Sequence, residues 1–240
     1  MWRILLAEFL GDLRAQRLRA VLTMGAITWG TLAVVLLLSF GEGLKRVGIA
    51  GIENAGDRMF IVYGNETSKV FQGLPKGRQI RLTEEDLGLI RRSIPDIDLA
   101  SPSYGRWGTK LEHGTIKTTT YMEGVTSDFA VMRRMAVQPG GRFVDEQDVA
   151  LRRRVVFLGD SLAVKLFGRQ APVGRTLVLD GLPFTVIGVM ENKLQMGMNN
   201  GPDAERAIIP ASTFRTVYGV RYVNHLLVRP QSVAAAPEVK

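Results

Sequence analysis

The longest uninterrupted run of mainly apolar positions in the chain is residues 21–40, VLTMGAITWGTLAVVLLLSF. It contains no charged residue, and a helix of this length spans about 30 Å, the thickness of the hydrocarbon core of a bilayer. The run therefore predicts one transmembrane helix, which we place at residues 20–45. A cleaved signal peptide is the alternative, but its apolar region is usually only about 7–15 residues long.

The charges on either side of the run predict its orientation. Arg14, Arg17 and Arg19 lie just before it, whereas residues 42–46 carry charges of both signs. Because positively charged flanks favour the cytoplasmic side, the N-terminus is predicted to be cytoplasmic. The main domain, which follows the run, is then expected to be periplasmic or otherwise extracytoplasmic.

Residues 1–19 show a helical pattern of their own. Trp2, Leu6 and Phe9 fall on one side of a helix, and Arg3 falls on the other. The pattern predicts an amphipathic helix that lies in the cytoplasmic interface of the membrane, since the transmembrane run adjoins it. A helix packed on protein is the alternative.

The chain after the transmembrane run begins with a strand, a helix and a second strand. Residues 58–64 have the composition of a buried strand. Thr83 and Asp86 form a capping-box pattern at the start of a helix that Pro95 should end. A short strand near residues 97–100 would then complete a β-α-β unit.

The middle of the chain is rich in strand patterns. Alternating segments on both sides of the turn at residues 113–114 predict a hairpin, and Asp180-Gly181 predicts another. A short helix is expected to start at Ser127, and residues 154–168 read as a strand followed by a helix that Gly168 ends. A strand, a helix and a strand are expected near the end, which makes the fold class α+β with a β-rich middle block.

Composition narrows the possible functions. The chain has 240 residues, 46% of them hydrophobic, and a net charge of +8. The basic residues are spread along the sequence rather than gathered on one segment, which favours a solvated basic surface and argues against a nucleic-acid partner. The chain contains no cysteine, so disulfides and thiolate metal sites are excluded.

One tetrapeptide raises the question of catalysis. Residues 159–162 read GDSL, which is the nucleophile motif of a family of serine hydrolases, and Ser161 would be the nucleophile. Such a serine needs a histidine held by an acid. The only histidines are His113 and His225, and Tyr222 stands three residues before His225, where those enzymes have Asp.

The same four residues also fit an ordinary strand-to-helix junction. Gly159 would end the strand, Asp160 or Ser161 would cap the helix, and Leu162 would enter the core. We therefore expect Ser161 to be a helix-start residue, and we expect no catalytic residue in the chain.

Other chemical motifs are weak. The sequence contains no phosphate-binding loop of the Walker A type and no H-E-x-x-H pattern. Met190, Met196 and Met198 surround a loop and could hold Cu(I) through their thioethers. An exposed apolar loop that touches lipid or a partner is favoured over a copper site, and core or loop packing is favoured over both. We expect no cofactor-binding and no metal-binding residue.

Several segments together resemble a known family. They are RLTEEDLGLIRRSIP, PGGRFVDEQDV, VVFLGDSLAVKLFGRQAPVGRTLVLDGLPFTVIGVM and AIIPASTF, which follow one another in this order. The order is similar to the MacB-like periplasmic core of ABC-transporter permeases of the MacB/FtsX/LolCDE class. The segment before it, RLRAVLTMGAITWGTLAVVLLLSFGEGLK, resembles the first transmembrane helix of those proteins.

The resemblance implies an architecture and a function. Family members have four transmembrane helices, with the periplasmic domain between the first and the second, and they reside in the bacterial inner membrane. They work as dimers with a fused or separate ATPase and couple ATP hydrolysis to periplasmic motion, which is called mechanotransmission. The resemblance divides this domain into a first porter-like half at residues 55–103, a β-rich insertion at 104–220, and the start of a second porter half at 221–240.

Two departures from the family pattern lead to further expectations. The chain stops at Lys240, before a closing strand and three more transmembrane helices, so we expect it to be a fragment or a truncated form. It also begins at the predicted interfacial helix, so we expect the ATPase to be a separate protein.

Three hypotheses remain from the sequence. The first is a permease subunit that exports or extracts a lipophilic or peptide substrate. Its expected partners are a separate ABC ATPase, a second permease subunit in a homo- or heterodimer, the lipid bilayer and a periplasmic adaptor. The second is a single-span, membrane-anchored binding or adaptor protein without transport activity. The third, an anchored hydrolase that uses Ser161, is the least favoured.

Overall fold

The computed structural model describes residues 2, 16–53, 59–94, 96–193, 195 and 199–231, except for the side chains of residues 50–53. Predictions that fall wholly or partly outside these residues include the interfacial helix at 1–19, the starts of the strand at 58–64 and of the segment at 55–103, the helix stop at Pro95, the roles of Met196 and Met198, and the end of the segment at 221–240. The chain divides into two compact units, Met1–Ile49 and Ala50–Lys240, and each is described by itself.

The chain contains both helices and strands, and both kinds occur in the second unit. In chain order they are α1 (Arg17–Glu53), β1 (Phe60–Tyr63), α2 (Glu84–Ser93), β2 (Ile97–His113), β3 (Ile116–Val125), α3 (Asp128–Met132), α4 (Glu146–Ala150), β4 (Val155–Leu158), α5 (Asp160–Phe167), β5 (Thr176–Leu179), β6 (Leu182–Val189), a 3-10 turn (Asp203–Glu205), β7 (Arg206–Pro210), α6 (Ala211–Tyr218) and β8 (His225–Pro230). Apart from α4 and the 3-10 turn, each of these elements corresponds to one that the sequence predicts.

Helix α1 contains 37 residues and is therefore longer than the span predicted at residues 20–45. Within the described part of the chain, its segment Arg17–Ile49 is the one helix long and apolar enough to cross a membrane, judged by length and composition. The hydroxyls of Thr23 and Thr31 donate hydrogen bonds to backbone carbonyls one turn earlier, at 2.7 and 3.0 Å. These polar groups are therefore satisfied inside the helix, as a bilayer requires.

A three-stranded sheet is formed by β1, β8 and the first half of β2. Strand β8 lies in the middle and is antiparallel to both neighbours. The strand predicted at residues 97–100 is thus only the beginning of β2, which has 17 residues. The sequence understates its length because Pro102, Gly105 and Gly108 are residues that usually interrupt strands.

Helix α2 connects β1 to β2, and its start confirms the predicted capping box. The Thr83 backbone N–H donates to Asp86 Oδ2 at 2.7 Å, and the Thr83 hydroxyl lies 3.0 Å from the same oxygen. Leu87 and Ile90, on the apolar side of the helix, pack against the buried core. The helix thereby covers one side of the strands that it connects.

The remaining strands close into a ring with the second half of β2. Their order is β2-β3-β7-β4-β6-β5, and β5 returns to β2 through the pairs Leu111–Leu179 and Glu112–Val178. The pairs β3–β7 and β4–β6 are parallel, and the other neighbours are antiparallel. Because β2 takes part in both the ring and the three-stranded sheet, the two sheets share one strand.

Two clusters of buried apolar side chains fill this unit. The larger one brings together Leu111 and Leu158 from the ring, Leu166 from α5 and Leu226 from the three-stranded sheet. The smaller one contains aromatic contacts, with Phe143 stacked on Phe129 at 6.4 Å and edge to face with Phe157 at 4.8 Å between ring centroids. A core shared by both sheets makes them one folding unit.

Helix α5 begins differently from the sequence prediction. Its N-cap is Gly159, without a side-chain cap, rather than Asp160 or Ser161. A Cβ atom at position 159 would lie 2.3 Å from the carbonyl oxygen of Ala204 and 2.4 Å from that of Asp203. Glycine is therefore needed at position 159, because the two backbones approach closely there. As a result, helix α5 has no side-chain N-cap.

The rest of α5 agrees with the sequence. Leu162 is buried in the larger cluster, and Gly168 ends the helix with φ 59°, a conformation that favours glycine. The Gly168 N–H donates to the carbonyl of Val164 at 2.8 Å.

Two glycine substitutions test this account of the junction. Gly159→Ala should lower the free energy of unfolding by about 1–3 kcal/mol, because the added methyl group collides with backbone atoms that cannot move independently. Urea unfolding of the full chain in uncharged detergent measures the change.

Gly88→Ala is the matched control inside α2. Its added Cβ would meet only the flexible end of Arg92, at 3.6 Å. This variant should be stabilised by about 0.5–1 kcal/mol, because alanine loses less backbone entropy than glycine in a helix. Equal effects of the two substitutions would contradict the packing explanation.

Candidate functional site

A β-bulge in β2 turns one aromatic side chain outward. The register of the β2–β3 pair shifts here, so that Trp107 and Gly108 together oppose Tyr121. Gly108 has φ 74°, which glycine adopts without strain. The Trp107 indole is 64% exposed, and its ring centroid lies 4.7 Å from that of Tyr121. The bulge therefore presents an indole ring at the surface of the ring of strands.

Trp107 forms one wall of an open cleft of about 300 Å³. The other walls come from β3, the first turns of α5 and the segment before β7, and they include Ser161, Lys165, Asn200 and Glu205. We call this space the Trp107 cleft. An aromatic wall beside hydroxyl, amide, ammonium and carboxylate groups is a composition typical of ligand-binding sites.

A buried arginine lies behind the cleft. The guanidinium of Arg206 is 5.5 Å from the centre of the Tyr121 ring, and the residue is only 2% exposed. It donates to the carboxylate of Glu123, and to the backbone carbonyls of Asn199 and Gly201 at 2.6 and 3.0 Å. Arg206 thus fixes the loop that forms one wall of the cleft.

A second buried carboxylate extends this arrangement. Asp203 Oδ1 accepts from Arg133 at 2.7 Å and lies 3.2 Å from Arg206, while Asp203 Oδ2 lies 2.8 Å from the ammonium of Lys193. Lys193 also donates to the backbone carbonyl of Arg133 at 2.7 Å. We call Glu123, Arg133, Lys193, Asp203 and Arg206 the buried charge network.

The network is electrostatically coupled because its charges are removed from water. Burial alone would raise the pKa of Asp203, but the neighbouring cations Arg133, Arg206 and Lys193 hold that pKa below its usual value. Burial lowers the pKa of Lys193, although Asp203 acts in the opposite direction. Each charge is therefore stabilised mainly by its partners, and removal of one partner leaves an uncompensated buried charge.

His225 lies at the edge of the network. Its ring centroid is 5.3 Å from that of Tyr63, and its Nε2 is 3.4 Å from Asn199 Nδ2 and 3.9 Å from Glu123 Oε1. Burial lowers the pKa of His225 below its usual value of 6.5, with Glu123 opposing the shift. The neutral imidazole is consequently favoured at neutral pH.

These contacts join the two sheets at their shared strand. Ser103 of β2 donates to Glu123 Oε1 at 2.6 Å, and the Tyr63 hydroxyl donates to Asn199 at 3.0 Å. Tyr63 and His225 belong to the three-stranded sheet, whereas Glu123 belongs to the ring. The network therefore links the three-stranded sheet to the loop beside the Trp107 cleft.

The structure separates the residues that a serine hydrolase would need. Ser161 lines the Trp107 cleft, whereas His225 lies beside Glu123 in the interior. His113 packs against Phe167 with ring centroids 4.2 Å apart and the rings tilted by 41°. Across the described ranges of the chain, neither histidine is hydrogen-bonded to Ser161, so this geometry does not supply Ser161 with a general base.

The methionine prediction is resolved at one position. Met190 is 1% exposed and belongs to the smaller apolar cluster, which agrees with the core-packing interpretation. Among the residues that the structure describes, no group of three or more His, Cys, Asp or Glu side chains is placed to hold a metal ion. The expectation that the chain has no metal site stays a prediction.

The sequence did not reveal the buried charge network. The scattered charge favours a solvated basic surface, yet Arg133 and Arg206 are each 2% exposed. That interpretation is wrong for these two residues because their carboxylate partners lie 70 and 83 positions away. The available indication was Glu123, a charge in the otherwise apolar end of β3.

The described part of the chain thus combines one helix long and apolar enough to cross a bilayer with a folded domain of mixed α and β structure. The family model described as MacB-like periplasmic core domain matches residues 20–240. The chain belongs to the family of MacB-like periplasmic core domains.

Relatives with assigned names are ABC transporter components. The macrolide export ATP-binding/permease protein MacB of Bdellovibrio bacteriovorus is 27% identical over 229 residues, which is 95% of this chain and 35% of that protein. The pyoverdine export ATP-binding/permease protein PvdT of Pseudomonas aeruginosa is 26% identical over 234 residues, which is 95% of this chain and 34% of that protein. The chain therefore spans about a third of the length of these relatives.

Two solved structures share the fold. The extracellular domain of the noncanonic ABC-type transporter YknZ from Gram-positive bacteria has a TM-score of 0.62 and 19% identity, with coverage of 75% of this chain and 88% of that one. The periplasmic region of MacB from Actinobacillus actinomycetemcomitans has a TM-score of 0.60 and 22% identity, with coverage of 78% and 82%.

Removal of Arg206 tests the role of the network. Arg206→Met should lower the free energy of unfolding by about 3–5 kcal/mol, because Glu123 and Asp203 would lose a buried cationic partner. Lys117→Met is the control, since Lys117 contacts Glu112 at 3.0 Å but its side chain is 69% exposed. The control should change by less than about 1 kcal/mol. Similar losses in both variants, measured by urea unfolding, would contradict a special role for the buried pair.

The lowered pKa of His225 predicts a pH dependence of stability. The unfolded chain takes up a proton at higher pH than the folded chain, so the free energy of unfolding should decrease as pH falls through the usual value of 6.5. One proton contributes at most about 1.4 kcal/mol per pH unit. His225→Gln should flatten this decrease between about pH 7.5 and about pH 5.5. A variant that keeps the full slope would show that His225 is not the group responsible.

Proposed function

We propose that this chain supplies the first transmembrane helix and the extracytoplasmic domain of an ABC-transporter permease subunit. The observation that carries the proposal is the family match over residues 20–240, which includes both the apolar helix and the domain that follows it. The named relatives support a permease type of role. In this role the domain moves in response to ATP hydrolysis by a separate ATPase subunit, and it catalyses no reaction itself.

The proposal includes a topology and a set of partners. The N-terminus is cytoplasmic, and the domain after α1 is periplasmic or extracytoplasmic, attached to the bacterial inner membrane. A first porter-like half at residues 55–103 and the start of a second at 221–240 flank a β-rich insertion at 104–220. A second permease subunit and a periplasmic adaptor complete the assembly.

The cargo is proposed only as a class. Relatives that bear names of macrolide and pyoverdine exporters support the export of a small organic compound. A lipophilic or peptide substrate, exported from the cell or extracted from the membrane, fits this role. Fold alone does not determine which compound is carried.

A membrane-anchored binding or adaptor protein without transport activity is the second candidate. The Trp107 cleft favours it, because an exposed indole above polar groups can bind a ligand without any ATPase. The two candidates differ in whether an ATPase contacts the cytoplasmic end of the chain.

The absence of cysteine allows one experiment to test topology and partner together. Gln16→Cys places a unique thiol next to α1, and Lys117→Cys places one on the domain. In spheroplasts, a membrane-impermeant maleimide should label Lys117→Cys and should leave Gln16→Cys unlabelled. The reverse pattern would overturn the proposed orientation.

The same two variants locate the ATPase. A photoactivated crosslinker on Gln16→Cys should capture a protein that carries a Walker A motif, and the crosslinker on Lys117→Cys should not. Mass spectrometry of the crosslinked band identifies the captured protein. Labelling with the proposed topology but without ATPase capture would favour the anchored binding protein instead.

A further inference from the structure

A second cleft in the domain is lined by arginines and lies apart from the Trp107 cleft. It has a volume of about 280 Å³ and lies among the turn after α4, helix α6 and the residues that follow that helix. Arg152, Arg215 and Arg221 line it, together with the hydroxyl-bearing residues Ser212 and Thr216. We call it the arginine cleft.

The positive charge of the arginine cleft is only partly neutralised. Arg215 forms an ion pair with Glu84 at 2.5 Å. Over the described part of the chain, Arg152 and Arg221 have no carboxylate within ion-pairing distance, and both are exposed. Two unbalanced guanidinium charges therefore face the same space, and an anion bound between them would relieve their repulsion.

The walls of the cleft are held by backbone contacts. The Ser212 hydroxyl donates to the carbonyl of Val149, and the Thr216 hydroxyl donates to the carbonyl of Ser212 at 2.9 Å. These two protons are thus already used, which leaves the arginines as the donors for a ligand. Arg152 lies in a left-handed turn, with φ 51°.

Stabilisation of helix α6 explains the position of only one of the three arginines. Arg215 lies in the last turn of α6, where a positive charge interacts favourably with the helix dipole. Arg152 lies outside α6, and Arg221 follows Gly219, the residue that ends it. Their convergence therefore needs another explanation.

The chemistry of the cleft selects a class of ligand. A guanidinium group presents paired N–H donors that match the oxygens of phosphate or carboxylate. Two unbalanced charges match a dianionic phosphate monoester better than a monoanionic carboxylate. We propose that the arginine cleft binds a phosphate monoester group, carried either by a soluble compound or by a lipid headgroup. This proposal does not depend on the transport role.

Phosphorus NMR of the full chain in uncharged detergent tests the proposal. Inorganic phosphate is the probe, at about pH 8 and low ionic strength, where phosphate is mainly dianionic and screening is weak. The expected result is saturable line broadening. It should weaken at least about tenfold in Arg152→Gln/Arg221→Gln, because two charge-assisted contacts are removed.

Arg92→Gln/Arg169→Gln is the matched control, since it removes the same charge from exposed positions outside the cleft. It should bind phosphate like the unaltered chain. An equal loss in both double variants would mean general attraction to a basic protein and would overturn the proposal, as would the absence of saturable binding. Unfolding curves of both variants establish that each is folded.

Two further probes distinguish the sources and the charge of the ligand. Competition by short-chain phosphatidic acid that is stronger than competition by glycerol phosphate would assign the site to a lipid headgroup. Equal competition would assign it to soluble phosphate esters. Acetate should compete weakly, and acetate that competes as well as phosphate would overturn the selection of a dianion.

Discussion

The buried contact between Arg206 and Glu123 is the interaction on which the arrangement of this domain depends. Arg206 opens β7 and Glu123 lies in β3, and these two strands are parallel neighbours in the ring. Burial of a guanidinium costs free energy that its partners must offset, so the carboxylate and the carbonyls of Asn199 and Gly201 must stay in place. The position of the loop follows from this requirement, and so does one wall of the Trp107 cleft. A core of apolar side chains alone would not impose such a fixed arrangement on a polar segment.

Local patterns in the sequence predict most of the elements but not the way in which they join. The capping box at Thr83, the turn at Asp180-Gly181 and the helix end at Gly168 are each determined by a few neighbouring residues, and all three are present. The contact between Glu123 and Arg206 joins residues 83 positions apart, and no local pattern encodes it. The same reasoning explains why Gly159 is the cap of α5, since the backbone that excludes a side chain there comes from a distant turn.

The candidate sites, like the elements, are only partly predictable from the sequence. Ser161 attracts attention in the sequence because of its motif, yet the structure gives it a place on the wall of a cleft and no histidine partner among the described residues. Trp107 attracts no attention in the sequence, although it is the most distinctive group on that wall. Its exposure is a consequence of the bulge at Gly108, and a bulge depends on the register of two strands rather than on composition. The shape of this surface therefore depends on an irregular strand pairing that the fold retains.

The single strand shared by both sheets has a mechanical consequence. Strand β2 runs without interruption from Ile97 to His113, with β8 beside its first half and β3 beside its second. A covalent backbone in an extended conformation is stiff along its length, because further extension would have to stretch bonds and open angles. A force applied to the three-stranded sheet is thus transmitted to the ring through the main chain itself, without first deforming side-chain contacts. The strand acts as a stiff connection between the two sheets, and the bulge at Trp107 is a point in its second half where it can bend.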